Sequence, residues 1–182
     1  MTLDYYRNAT GEWQILCPTK KYETGSKYLN QVIQNEKHGK YMKQYGENKY
    51  FIGDKVMAMK NYEGQFFNGE CGNVIDIDED GMAVRFYNGE EIYFDNLMLE
   101  FLVPANAITI HKSQGNEYAN ILIVIPENAK HMLTVNLLYT AITRAKQNVT
   151  LLSENNTIDE ILSHPKKEYR NTGLTEMLQK AG

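Results

Sequence analysis

Residues 111–117, with the sequence HKSQGNE, carry the densest set of side chains suited to chemistry. Histidine, lysine, serine and glutamine supply four kinds of hydrogen-bond donor, and Gly115 lets the backbone turn tightly. The segment follows a predicted strand, and open α/β sheets bind ligands at the carboxyl ends of their strands. The composition is therefore that of a loop that contacts anions and bases, with a solvated surface connection left open as the alternative. A nucleophilic pair of His111 and Ser113 is disfavoured, because no carboxylate is placed to orient the histidine and no GxSxG elbow is present.

Arg144 is the second candidate, in a segment over residues 134–146 where apolar residues recur at helical spacing. One apolar stripe of this predicted helix comprises Val135, Leu138, Tyr139 and Ile142. Arg144 falls nearly opposite the stripe, as most solvent-facing helical arginines do. Leu137 and Ala141 flank it, however, and indicate that this side is partly covered. Because an arginine on a covered surface needs an anion, a solvated and an anion-binding arginine both stay open.

The elements that must position these residues follow an α/β pattern. A continuous apolar run without alternation, such as residues 121–125, is typical of a parallel strand covered on both faces. The predicted elements are a strand over 13–17, a helix capped by Ser26, strands over 107–110 and 121–125, a helix over 134–146, a strand over 149–152, and one or two short helices over 158–182. The last strand pair and its helix form a β-α-β unit, whose crossover should be right-handed.

Residues 53–99 have a different pattern, in which apolar and polar residues alternate between glycine turns. Asn68-Gly69, Asp80-Gly81 and Asn88-Gly89 are strong hairpin signals. Four or five short strands in this range predict a small antiparallel barrel. Its position inside an α/β chain indicates an insert.

The composition limits the classes of protein that fit. A chain of 182 residues with 42% hydrophobic residues has room for one folded domain, or for one domain with a small insert. The net charge of −4 argues mildly against a nucleic-acid partner, although a local basic loop can act within an acidic chain. No apolar run approaches the roughly 18 residues of a membrane span, so we expect a cytoplasmic protein with no membrane partner. Cys17 and Cys71 lack metal-type spacing and are expected to be packing residues.

Two longer segments resemble known motifs. Residues 107–118 resemble the fifth helicase motif of superfamily 1, in the form typical of RecD-like proteins (exodeoxyribonuclease V alpha subunit type), and residues 137–146 resemble the sixth motif. Two long motifs in the right order are a highly specific signal. Weaker similarities to the same branch are found at residues 14–19 with 29–30, at residues 53–57 with 67–72, and at residues 170–174.

The resemblance implies a fold. It implies a second RecA-like domain of P-loop NTPase type with a parallel sheet, formed by residues 1–52 and 100–182, and interrupted over residues 53–99 by a small antiparallel β-barrel of Src-homology type. In the family this barrel helps to hold the DNA strand. Side chains that offer charge or stacking faces to DNA are Lys60, Tyr62, Arg85 and Tyr87, although the two tyrosines are more simply explained as ordinary barrel residues.

The resemblance also implies roles for individual residues. Arg144 is expected to reach the γ-phosphate of ATP as an arginine finger, with Gly115 and Glu117 near the nucleotide and Glu117 able to accept from the ribose hydroxyls. The residues expected along or beside single-stranded DNA are Thr109, His111, Lys112, Ser113 and Gln114, and Thr19 and Lys20 are expected to touch a phosphate. The loop over residues 20–25 departs from the glycine-rich form of the family.

The sequence has no GxxxxGK[ST] and no Asp-Glu box of the kind that holds magnesium, since the acidic residues at Glu79-Asp80 lie in a predicted hairpin turn. Without these parts we expect no ATP hydrolysis by this chain alone. We therefore expect a fragment of a longer protein, in which a first RecA-like domain binds most of the ATP and Mg²⁺. No metal site is expected in this chain.

In the longer protein, the resemblance implies ATP-driven 5′ to 3′ unwinding of DNA in recombination and repair, at single strands and duplex/single-strand junctions. It leaves open whether that protein acts alone or with the subunits of a nuclease complex. The alternative is a non-catalytic module that binds single-stranded nucleic acid or a protein. The intact Gln114, Gly115, Glu117 and Arg144 argue against it, because such a module needs no γ-phosphate sensor.

Overall fold

The continuous apolar runs and the alternating runs form different sheets in a computed structural model, which describes residues 13–36 and 42–163. The strands are β1 (Trp13–Cys17), β2 (Met42–Tyr45), β3 (Asn48–Phe51), β4 (Lys55–Ala58), β5 (Cys71–Ile77), β6 (Gly81–Phe86), β7 (Glu91–Asp95), β8 (Leu102–Pro104), β9 (Ala107–Thr109), β10 (Tyr118–Ile125) and β11 (Ala145–Ser153). The α-helices are α1 (Ser26–Glu36), α2 (Val135–Ile142) and α3 (Thr157–Ser163), and short 3-10 helices cover Met98–Phe101, Ile110–Ser113 and Glu127–Met132. The predicted helical segment beyond residue 163 and the similarity at residues 170–174 lie outside the described residues. Within the described ranges, no helix is long and apolar enough to cross a membrane.

The predicted α/β part is confirmed as a four-stranded sheet in the order β11-β10-β1-β9, with every neighbouring pair parallel. Strand β10 shows why its sequence does not alternate. Ile121 and Ile123 face the cluster that includes side chains of α2 and α3, whereas Leu122 and Val124 face the cluster beneath α1. Helices thus cover both faces of the strand, as a continuous apolar run requires.

The alternating region forms a five-stranded antiparallel sheet in the order β7-β6-β5-β4-β8. Its core is aromatic, with the rings of Phe66 and Phe94 5.0 Å apart between centroids. The same core includes Tyr50 and Leu102, whose side chains are joined to it from outside residues 53–99. The predicted antiparallel hairpins are confirmed, while closure of the sheet into a barrel and the division into domains stay predictions.

Strand β4 joins the two sheets because it is buried along its whole length. Val56 and Ala58 pack into the aromatic core, and Met57, between them, packs into the core of the parallel sheet with Ala105 and Tyr118. The five-stranded antiparallel sheet with its connections, residues 55–104, is called the antiparallel unit. Strand β4 is therefore a wall common to the core of this unit and the core of the α/β part. Because cores are densely packed, a substitution that shifts β4 from the side of one core also displaces the side chains that β4 places in the other core.

Asn30 of α1 fixes the end strand of the parallel sheet. Its Nδ2 donates to the carbonyl oxygens of Ala107 at 2.7 Å and Pro104 at 3.1 Å, and its Oδ1 accepts from the amide of Ala107 at 2.9 Å. The two Ala107 groups lie on the outer side of β9, which has no strand partner there within the described residues, whereas Pro104 ends β8; buried backbone groups of this kind must be paired. Asn30 thus sets the position of β9, from whose end residues 110–117 start.

We predict that Asn30→Ala lowers the free energy of unfolding by about 2–4 kcal/mol, because it leaves buried backbone groups of β9 unpaired. Urea denaturation measures this as a lower midpoint with an unchanged slope. The matched control is Asn88→Ala, which removes two exposed hydrogen bonds, one donated to Glu70 and one accepted from the amide of Glu90, and should cost less than about 1 kcal/mol. Equal losses in the two variants would contradict the role of Asn30.

Candidate functional site

Residues 110–117 run from the carboxyl ends of the parallel strands, here called the carboxyl edge of the sheet, to their amino ends, the amino edge. Along β1, Thr109 is level with Cys17, whereas Asn120 is level with Trp13. Because β9 and β10 are both parallel to β1, the chain must return from the carboxyl end of β9 to the amino end of β10. At roughly 3.3 Å per residue the two ends are about 20 Å apart. The predicted position of this segment after the carboxyl end of a strand is confirmed, and the structure adds that its second half lies at the opposite end of the parallel strands.

At the carboxyl edge lies a cleft of about 310 Å³ between α1, the end of the parallel sheet and the antiparallel unit. Lys20, after β1, and Lys112, after β9, both line it. The Lys112 ammonium lies 3.2 Å from the sulfur of Met59, which belongs to the antiparallel unit. Burial, and then the charge of Lys20, lower the pKa of Lys112 below its ordinary 10.5. We call this site the lysine cleft.

A third lysine of the lysine cleft, Lys27 of α1, is paired with Glu47 in the turn between β2 and β3, at 2.5 Å. Both side chains are more than half exposed, so the pair is weak. Three lysines against one glutamate make the cleft locally positive within a chain of net charge −4. Lys27 and Met59 were missed by sequence reasoning, since only the folded chain brings them beside Lys20 and Lys112.

The remaining residues predicted to lie along DNA divide into two groups. The hydroxyl of Thr19 accepts from the amide two residues on at 3.2 Å, and that of Thr109 from the amide three residues on at 3.4 Å. Ser113 is fully buried, and its hydroxyl donates to the carbonyl three residues earlier at 2.7 Å. These hydroxyl groups shape the loops. His111 and Gln114 are exposed.

Arg144 lies at the opposite, amino edge of the sheet. Helix α2 ends at Ile142, and Lys146 is already in β11, so the predicted helix over 134–146 was too long at its end. The reason is strand pairing: Ala145 is level with Tyr118 of β10, and the Tyr118 amide donates to the Arg144 carbonyl at 2.8 Å. Arg144 therefore stands in a turn beside β10.

The buried face of α2 also differs from the predicted stripe. Leu138 and Ala141 are buried and Leu137 packs beside them, so the side that flanks Arg144 is covered. Three members of the predicted stripe are instead exposed, namely Val135, Tyr139 and Ile142. Tyr139 is 69% exposed. Helix α2 thus presents an apolar face outward, next to the half-buried Arg144.

The guanidinium of Arg144 has only neutral partners. It donates to the carbonyl of Thr140 at 3.3 Å, to the hydroxyl of Thr143 at 3.4 Å and to the carbonyl of Asn116 at 3.5 Å. Among the described residues no carboxylate forms an ion pair with the Arg144 guanidinium. The carboxylate of Glu117 pairs instead with Lys146, at 3.3 Å. A half-buried arginine with long bonds to neutral oxygens is suited to receive an anion.

Gly115 and Glu117 lie at the same edge as Arg144. Gly115 has a φ of +89°, which favours glycine, and a Cβ built on it would meet no atom within 4 Å. The ion pair of Glu117 with Lys146 is well exposed, so its carboxylate stays accessible. The three predicted nucleotide-site residues are therefore brought together, and the space beside them is open.

The chain is similar to known helicases in sequence. Residues 104–152 match the family of UvrD-like helicase C-terminal domains. The chain is 33% identical to the ATP-dependent RecD2 DNA helicase of Deinococcus radiodurans over 93% of this chain and 24% of that protein. It is 29% identical to the RecBCD enzyme subunit RecD of Mycolicibacterium smegmatis over 94% of this chain and 30% of that protein.

Solved structures share the fold. The structure of a Bacteroides Pif1 helicase with ADP-AlF3 and single-stranded DNA has a TM-score of 0.63 at 19% identity, over 96% of this chain and 46% of that one. The Pif1 helicase of Candida albicans has a TM-score of 0.62 at 17% identity, over 100% of this chain and 54% of that one.

Fold and sequence together identify the chain as a C-terminal domain of the superfamily 1 helicases. Within this superfamily it belongs with the RecD-like proteins, as the C-terminal region of one of them. It spans about a quarter of the length of the curated RecD2 relative.

We predict that Lys20→Gln raises the pKa of Lys112, because it removes a neighbouring positive charge, but leaves that pKa below 10.5, because burial is the larger cause. An NMR titration of the Lys112 ammonium measures this directly. Lys21→Gln, an exposed change in the same loop, is the control and should leave the pKa of Lys112 where it is. A fully restored pKa in Lys20→Gln would show that burial was not the main cause.

Proposed function

We propose that the chain is the second RecA-like motor domain of an ATP-dependent DNA helicase, and that it supplies an arginine finger and part of the single-stranded DNA path. The observation that carries this proposal is the course of residues 110–117. They begin in the lysine cleft and end beside Arg144, about 20 Å away. A continuous segment of this kind can link a polymer-binding site to a phosphate-binding site.

The lysine cleft is the proposed DNA site. Lys20 and Lys112 are held together despite their repulsion, and a phosphate between them would relieve it. Thr19, Thr109 and Ser113 act by shaping the loops, and the other proposed DNA-contacting side chains are those of His111 and Gln114. The Bacteroides relative of the same fold was solved with single-stranded DNA.

The antiparallel sheet forms one wall of the lysine cleft through Met59 and Val103. We propose that it is the Src-homology-type barrel of the RecD branch, inserted over residues 53–99 into a motor domain made of residues 1–52 and 100–182. Its place in the cleft wall gives the insert a part in holding the strand.

Arg144, Gly115 and Glu117 form the proposed nucleotide side. Here ATP with Mg²⁺ would supply the phosphoryl group whose transfer drives the motor, held mainly by a first RecA-like domain. Arg144 neutralises charge that develops on the terminal phosphate, Gly115 allows close approach of the backbone, and Glu117 accepts from the ribose hydroxyls. The exposed apolar face of α2 beside Arg144 suits packing against that first domain.

The parent protein would unwind DNA in the 5′ to 3′ direction in recombination and repair, at single strands and duplex/single-strand junctions. The relatives include both a RecD2 helicase and RecD subunits of RecBCD enzymes, so subunits of a nuclease complex are proposed partners as well. The present chain alone is proposed not to hydrolyse ATP, because residues outside it would hold most of the nucleotide.

We predict that the chain binds a fluorescent dT12 oligonucleotide weakly and that Lys20→Gln and Lys112→Gln each weaken this binding. Fluorescence anisotropy over a series of salt concentrations measures the effect. Each variant should reduce the slope of log K against log salt by about 0.7, because one phosphate contact with a single strand is lost.

Lys130→Gln is the matched control, since Lys130 is paired with Glu160 away from the lysine cleft. It should leave the slope unchanged. If all three variants behave alike, the cleft is not the DNA site. Tight binding that persists at high salt would instead favour a non-catalytic binding module.

A further inference from the structure

Residues 110–117 contact the antiparallel unit at two points, both on the connection between β4 and β5. At the lysine cleft, the Lys112 ammonium meets the sulfur of Met59 at 3.2 Å. Toward the nucleotide side, the side-chain amide of Asn116 donates to the carbonyl of Gly69 at 3.0 Å. Met59 and Gly69 lie near the two ends of the same connection. The antiparallel unit thus runs alongside the segment that joins the two proposed sites.

Asn116 is a junction of three hydrogen bonds. Its amide donates to the carbonyl of Ser113 at 3.1 Å, its side chain donates to Gly69, and its own carbonyl accepts from Nη1 of Arg144 at 3.5 Å. The side chain and the carbonyl belong to one residue, so the bond to Gly69 limits rotation of the carbonyl that Arg144 uses. The preceding Gly115 offers no such restraint, since a Cβ there would meet nothing.

The anchor on the other side is rigid. The Gly69 amide donates to the carbonyl of Ala58 at 2.8 Å, and Ala58 is fully buried in β4. The thiol of Cys71 also lies 3.6 Å from the Gly69 carbonyl oxygen. Asn116 is therefore tied to the strand that forms the shared wall of both cores.

We propose that Asn116 is a positioning residue that ties the orientation of Arg144 to the antiparallel unit, so that a strand bound in the lysine cleft is sensed at Arg144. The sensing rests on the proposed function, whereas the orientation of Arg144 stands on the hydrogen bonds alone. Loss of a single, partly buried hydrogen bond of this kind costs only about 1 kcal/mol, so Asn116 variants should fold.

The side-chain NεH signals of arginine in ¹⁵N NMR spectra test the proposal on this chain. The sequence has four arginines, so Arg144→Lys identifies the Arg144 signal by its disappearance. In Asn116→Ala we expect this signal to shift and to exchange at least about threefold faster with water, because a guanidinium no longer held at Nη1 can turn and loosens the 3.3 Å bond from Nε to the Thr140 carbonyl. Asn88→Ala, an exposed change in the antiparallel unit, should leave it unchanged.

Adding dT12 supplies the second readout. In the wild-type chain, dT12 should shift the Arg144 signal; in Asn116→Ala the shift should be lost while the affinity for dT12 changes less than about threefold, because the lysines are untouched. An unaltered Arg144 signal in Asn116→Ala without DNA would overturn the positioning role. Bound dT12 without any shift in the wild type would overturn the sensing, and absence of dT12 binding would instead count against the proposed function.

Discussion

Two parallel strands joined by a short connection impose the geometry on which the rest of this structure depends. Strands β9 and β10 both run parallel to β1, so the eight residues between them must travel back along the sheet. Because the connection is short, few conformations can span the distance between the two strand ends. Its first and last residues are therefore fixed at opposite ends of the parallel strands. The lysines at one edge and Arg144 at the other are therefore held in a defined relation by the backbone itself.

The shared wall of β4 adds a second constraint. A sheet on a flexible tether would move independently of the rest of the chain, but β4 buries one face in each core. The connection that follows β4 then touches residues 110–117 at both Met59 and Gly69. The antiparallel unit is thus part of the wall of the lysine cleft and also a support for the loop beside Arg144.

Much of this was predictable from the sequence, because it depends on local pattern. The continuous apolar run at 121–125 predicts a parallel strand, and the glycine turns of 53–99 predict antiparallel hairpins. The two helicase motifs indicate the family. Other features depend on pairing between distant segments. The end of α2 at Ile142 follows from the register of β11 on β10, and the exposure of Tyr139 follows from which side of the short helix meets the core. The helical spacing of apolar residues predicts neither feature.

The same limit applies to the candidate site. Arg144 and Lys112 were identified by residue type within motifs, whereas Lys27, Met59 and Asn116 matter through partners 20, 53 and 47 residues away, respectively. The most direct test of the proposed arginine finger is single-turnover ATP hydrolysis by the parent protein with Arg144→Ala, beside Lys130→Ala as a control at a residue paired with Glu160 away from the lysine cleft. We expect a loss of about 10³-fold or more for Arg144→Ala alone, with ATP affinity changed only a few-fold. Unchanged turnover in Arg144→Ala would contradict the proposed arginine finger.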